Sequence, residues 1–161
     1  YSRTIKENIA ASVPEASFEE IRQAAKIACI DEAIMNFPDG YETLVGERGV
    51  TLSGGQRQRI AIARMLLQKA PIMVFDDSLS AVDSQTDSKI RKALLENRRD
   101  ATVILISHRV TTLMSADKIM VLNQGSIEEM GTHQELIKQQ GIYRKIYDIQ
   151  MSQDDRMQME V

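Results

Sequence analysis

The chain has 161 residues, a formal net charge of −3 and a pI near 5.5. That length suits one domain with a real core, and so mild an acidity gives no electrostatic footing for nucleic acid. A single cysteine, Cys29, excludes a disulfide framework, and no apolar run is long enough to span a bilayer, so the composition reads as a soluble, cytosolic piece without a signal peptide.

In chain order, Thr4 with Glu7 three residues on has the form of a capping box opening a short helix. Ser17 with Glu20 repeats it before a helix whose apolar face is Ile21, Ala24, Ala25 and Ala28. Cys29 is read as sitting in this helical run, as a small buried hydrophobe. Asp31 begins a third, short helix, and residues 37–41 have the Pro and Gly chemistry of a turn. Val45, Gly46, Glu47, Arg48 and Gly49 form a charged turn with two glycines. Ser53, Gly54 and Gly55 then open a helix in which Ile60, Ala63 and Leu67 recur at helical spacing. Backbone amides free of side-chain obstruction at such an N-terminus, at the positive end of the helix dipole, make an anion site. Residues 72–75 read as a buried strand that delivers Asp76 and Asp77 at its carboxyl end, where parallel α/β sheets place their ligands.

After Asp83 a helix is predicted to run to Glu96, and residues 102–106 read as a second buried strand leading to Ser107 and His108. Residues 117–122 and 126–130 give two further strands joined by a hairpin turn at Asn123, Gln124 and Gly125. Thr132 with Glu135 makes another capping box. Gly141 separates that helix from a last one through about Gln150, and beyond Met151 the chain is polar, Met-rich and aperiodic, with the character of a frayed tail.

Several of these segments, in this order, resemble the motifs of ABC ATPases. Leu52, Ser53, Gly54, Gly55 and Gln56 match the family signature, and residues 72–76 are similar to its Walker B strand. Ser80, Ala81, Val82 and Asp83 resemble the D-loop, and Ser107 with His108 the switch-histidine loop. Gly46, Glu47 and Arg48 resemble the exporter X-loop, which in that family senses the transmembrane domains. The resemblance covers nearly the whole chain. It implies an α/β fold, a partial P-loop NTPase core with a parallel sheet plus a helical subdomain. Its parts would be the helical subdomain and X-loop over about residues 1–52, the core over 53–150, and a flexible tail over 151–161. No Gly-x-x-x-x-Gly-Lys-Ser/Thr occurs in these residues, so the phosphate-cradling loop is not among them. The chain resembles the carboxyl-terminal two-thirds of a nucleotide-binding domain, and alone it is expected neither to hydrolyse ATP nor to bind it tightly.

The same resemblance implies roles. Asp76 would hold Mg²⁺ through water. Asp77 stands where the family usually places Glu, the base that positions the attacking water. One methylene less withdraws its carboxylate by about 1.5 Å, and a displacement of about 1 Å can cost ~10²-fold. Asp77 is therefore expected to be a poor base in a slow site. His108 would hydrogen-bond the γ-phosphate. Ser53 and the amides of Gly54 and Gly55 would contact the γ-phosphate of a partner's ATP, with Gln56 near the ribose and Leu52, Ala81 and Asp83 completing that face. Arg57, Arg59 and Arg64 read as a solvated helix face, and His133 as structural. An intact signature beside a substituted base implies one half of a heterodimeric, multidrug-type exporter at the cytoplasmic face of the cell membrane. Its partners would be a second ABC ATPase domain and transmembrane domains. The alternatives are a chromosome-maintenance or DNA-repair ATPase, a translation ATPase, or an inactive interaction fragment; the absence of a heptad run disfavours the first.

Overall fold

The structure, a computed structural model, describes residues 3–46, 49–76, 83–97 and 101–159. It divides into two compact units, one ending at Ile104 and the other beginning at Leu105.

The first unit is built on capped helices. Strand β1 (Arg3–Thr4) pairs antiparallel with β2 (Leu44–Val45), a pairing too short to leave a sequence signal. Thr4 caps α1 (Ile5–Ile9) and Ser17 caps α2 (Phe18–Ile27), each in a full capping box with the glutamate three residues on. The predicted face Ile21, Ala24, Ala25 and Ala28 is buried, and the short α3 (Asp31–Met35) begins at Asp31. Helix α4 (Gly54–Leu67) packs on both α1 and α2, burying Ile60, Ile62, Ala63, Leu66 and Leu67. Residues before position 53 and the glycine-led helix therefore share one core.

Two readings are corrected here. Cys29 lies beyond the end of α2 and is half-buried, with φ of 54°. Ile30 N donates to Ala25 O and Cys29 N to Lys26 O, the paired bonds of a Schellman cap in which Cys29 fills the left-handed position usually given to glycine. Nor are Arg59 and Arg64 of α4 a solvated face, although Arg57 is exposed. Arg59 donates to the Cys29 carbonyl at 3.3 Å and Arg64 Nε to the Asn8 carbonyl at 2.6 Å, so they tie α4 to the ends of α2 and α1. Their long apolar stems let them lie along the protein while the guanidinium reaches backbone acceptors.

Strands β3 (Ile72–Asp76) and β4 (Thr102–Ile106) pair with α5 (Ser84–Asn97) between them in sequence. Thr102 N donates to Pro71 O at 2.8 Å, so both strands start at the same end and run parallel. The expectation that both are buried fails. Met73 and Phe75 are buried, but Ile72 and Val74 are 61% and 52% exposed, and Ile104 and Ile106 are exposed on β4. Among the described residues this sheet has two strands and only one covered face, so successive side chains alternate between core and solvent.

In the second unit β5 (Ile119–Asn123) and β6 (Ser126–Gly131) form an antiparallel hairpin. Its two-residue loop, Gln124 and Gly125, has φ of 47° and 81°, while Asn123 pairs with Ser126 inside the ladder. Thr132 caps α7 (His133–Leu136) with Glu135. Val110 of α6 (Val110–Leu113), Ile119, Leu136 and Tyr143 form the core, with Leu113, Val121 and Tyr147 packed against it. His133 Nδ1 and the Tyr143 hydroxyl are hydrogen-bonded at 2.8 Å. Helix α8 (Ile142–Met159) continues past Met151, where the sequence reading ends it near Gln150. That stretch is aperiodic but contains neither Gly nor Pro, and a helix already nucleated propagates at little cost. Among the described residues no helix is long and apolar enough to cross a membrane.

Candidate functional site

The turn into α4 is held by its own side chains. Ser53 has extended backbone, φ −64° and ψ 164°, as an N-cap residue requires. Its Oγ accepts from Gln56 N at 3.2 Å, and Ser53 N donates to Gln56 Oε1 at 2.8 Å. Arg57 donates to the Leu52 carbonyl at 2.6 Å while the Leu52 side chain is buried, which fixes the turn from both sides. Gly54 and Gly55 contribute the first two amides of the helix, which have no intrahelical acceptor, and as glycines they carry no side chains of their own. The Ser53 hydroxyl, having accepted one bond, still has its own proton to donate. Four helices carry full capping boxes among the described residues; α1, α2 and α7 close theirs with Glu7, Glu20 and Glu135, and α4 alone uses a neutral Gln. No acidic residue stands in the first turn of α4. The positive end of this helix is left uncompensated, as an anion site needs.

The other predicted residues are distributed as follows. Asp76 closes β3 and is exposed at the strand's carboxyl end. Among the described residues no three His, Cys, Asp or Glu side chains gather closely enough to cage a metal. Asp83 is a helix cap: its Oδ1 accepts from Thr86 N at 2.9 Å, and that backbone bond holds the carboxyl below its ordinary range. His108 is exposed in the turn between β4 and α6, with its backbone carbonyl bound by the Gln150 side chain. Leu52 to Gln56, Asp76 and Asp83 belong to the first unit and His108 to the second. Asp77, Ala81, Glu47 and Arg48 lie outside the described residues.

Gly46 has φ of 126° and accepts from Gly49 N at 3.0 Å, closing a tight turn, and Val50 N donates to Leu44 O at 2.9 Å. A Cβ on Gly49 would run into the Leu44 carbonyl. This turn joins β2 directly to the stretch entering α4. Two residues important to the loops escaped the sequence reading. Arg57 could have been suspected from its place one residue after the capping box; Gln150 has no local signal at all, because its partners lie about forty residues away.

The ABC transporter family model matches residues 2–80, from the opening strand through the glycine turn and past β3. The chain belongs to the ABC transporter family. Over 150 residues it is 49% identical to the uncharacterised ABC transporter ATP-binding protein YknU of Bacillus subtilis. It is equally similar to an ATP-binding/permease protein assigned to multidrug export in Staphylococcus aureus. Each match covers 93% of this chain and 26% of the relative. A solved structure of a bacterial Atm1-family ABC exporter with ATP bound superposes with a TM-score of 0.86 at 41% identity, over 92% of this chain and 26% of that one. This ABC chain therefore spans 26% of the length of these relatives. Its parallel β3–β4 pair and capped helices are the α/β core and helical part of an ABC ATPase domain.

Proposed function

We propose that this chain is part of the ATPase subunit of an ABC exporter. That subunit couples ATP binding and hydrolysis, at a head-to-tail pair of ATPase domains, to transport across a membrane, with the ATPase at the cytoplasmic face. The observation that carries the reading is the N-terminus of α4, with two glycine amides, a serine hydroxyl with a proton to give, and no acidic side chain. ATP supplies the phosphoanhydride to be cleaved, and its γ-phosphate, held by the partner domain, is what this turn would receive. Ser53, Gly54 and Gly55 would bind the phosphate oxygens, and Gln56 would keep Ser53 in place from the ribose side. Leu52 anchors the turn, and Ala81 and Asp83 would complete the face toward the partner.

This chain's own site would take Asp76 for Mg²⁺, Asp77 to orient water and His108 for the γ-phosphate, together with a phosphate loop outside these 161 residues. With aspartate for glutamate at position 77, that site is the slower of two, which favours a heterodimeric transporter. Gly46, Glu47 and Arg48 would meet the transmembrane domains.

The test is Gly54→Asp, which sets a carboxylate where the phosphate must approach the helix end. In the assembled transporter it should abolish most ATPase activity while the thermal midpoint stays close to the parent's. Wild-type turnover in that variant would refute the assignment of the α4 turn.

A further inference from the structure

The turn that carries His108 has little local support. Arg109 occupies the N-cap position of α6 and contributes no side-chain cap, leaving the first amides of that helix to be satisfied otherwise. Ser107 Oγ accepts from Arg109 N at 3.1 Å. Two further bonds come from α8: Gln150 Oε1 accepts from Val110 N at 2.8 Å, and Gln150 Nε2 donates to the His108 carbonyl at 2.7 Å. One side-chain amide thus supplies both an acceptor and a donor to the backbone on either side of Arg109, as a neighbouring strand would.

The clamp is itself held in place. Tyr143, Tyr147 and Gln150 recur at helical spacing on one face of α8, and both tyrosines pack with Val110 and Leu113 of α6 in the core of the second unit. The amide therefore meets the turn from a helix already seated against the next element, so little rotamer freedom remains to be lost on bonding. The His108 side chain is exposed, and its direction depends on the backbone beneath it.

We infer that Gln150 is a positioning residue for His108, fixing the backbone from which the imidazole reaches the γ-phosphate. The inference rests on the reading of His108 given above. A lost clamp lets the turn relax, and a displacement of about 1 Å at a catalytic group can cost up to ~10²-fold in rate.

The test is single-turnover ATP hydrolysis by the full transporter carrying Gln150→Leu, His108→Ala, and both. Excess protein keeps slow rates measurable. Gln150→Leu should lower the rate about 10- to 100-fold, with the ATP concentration at half-maximal rate unchanged. In the His108→Ala background the same change should alter the residual rate by less than about twofold, because the orientation of an absent imidazole is immaterial. Gln150→Glu, which keeps the acceptor for Val110 N and loses only the donor, should fall between; it serves if the leucine variant fails to fold. Multiplicative losses in the double variant would make Gln150 merely structural and overturn the proposal, as would an unchanged rate in Gln150→Leu when His108→Ala is impaired. Full activity in His108→Ala overturns the reading of His108 and this proposal with it.

Discussion

The neutral cap of α4 leads to a prediction opposite in sign for stability and for activity. In Gln56→Glu the carboxylate can keep the 2.8 Å bond from Ser53 N, since only the acceptor oxygen of the amide is used there. The new charge sits in the first turn, where it stabilises a helix by about 0.3–1 kcal/mol. An anion bound to the Gly54 and Gly55 amides would lie roughly one helical turn away, on the order of 6 Å. At that separation and an effective dielectric near 20, each unit of phosphate charge is repelled by about 3 kcal/mol, or roughly 100-fold in affinity. The assay pairs a thermal melt with ATPase titrations of the assembled transporter at low and high salt. The melt should rise or hold, the apparent ATP affinity should fall, and added salt should recover part of it. Glu20→Gln and Glu135→Gln, the reciprocal changes in the boxes of α2 and α7, should alter stability alone. If Gln56→Glu binds and hydrolyses ATP like the parent, the α4 terminus does not face phosphate.

Further outcomes follow from other parts of the chain. Asp77→Glu, restoring the longer side chain, should raise turnover at this chain's own site, while Asp77→Asn should change total ATPase activity little; loss in Asp77→Asn as complete as in Gly54→Asp would mean Asp77 is a competent base. Gly49→Ala should lower the unfolding free energy by about 2 kcal/mol, because opening the turn costs the bonds Gly49 N–Gly46 O and Val50 N–Leu44 O; a parental denaturation midpoint would contradict this. The carboxyls of Glu20, Asp83 and Glu135 are held low, chiefly by Lys69, the Thr86 amide and the Thr132 amide respectively. Their folded forms thus bind protons less readily than the unfolded chain does. The stability they contribute is present above about pH 4 and is lost as pH falls through their depressed values. Denaturant midpoints between pH 7 and 2.5 should show that loss, and Glu135→Gln should flatten it.

What the sequence disclosed is what local chemistry controls. Thr4, Ser17 and Thr132 with their glutamates announce helix starts because both partners of each box lie within one turn. The same device at Ser53 and Gln56 was legible in principle, but its residues also match the signature, and the functional match hid the structural one. Glycine and helical spacing likewise revealed α4, and the position of Asp76 follows from the strand that ends there.

The remainder depends on partners far apart in the chain. Whether residues 72–75 are covered on one face or two is decided by what else packs on the sheet, not by their own apolar run, and Val74 at 52% exposure shows the ambiguity. Arg64 reaches Asn8 across 56 positions, and Gln150 reaches His108 across 42. These bonds share one character: a long polar side chain on a regular helix satisfies backbone groups at the end of another element. Helix ends and turns expose unpaired carbonyls and amides, and residues that must move or meet a ligand sit on such segments. The turn that carries His108 takes one side-chain bond from its own Ser107 and two from Gln150, anchored on α8 at a position in the sequence set by the fold.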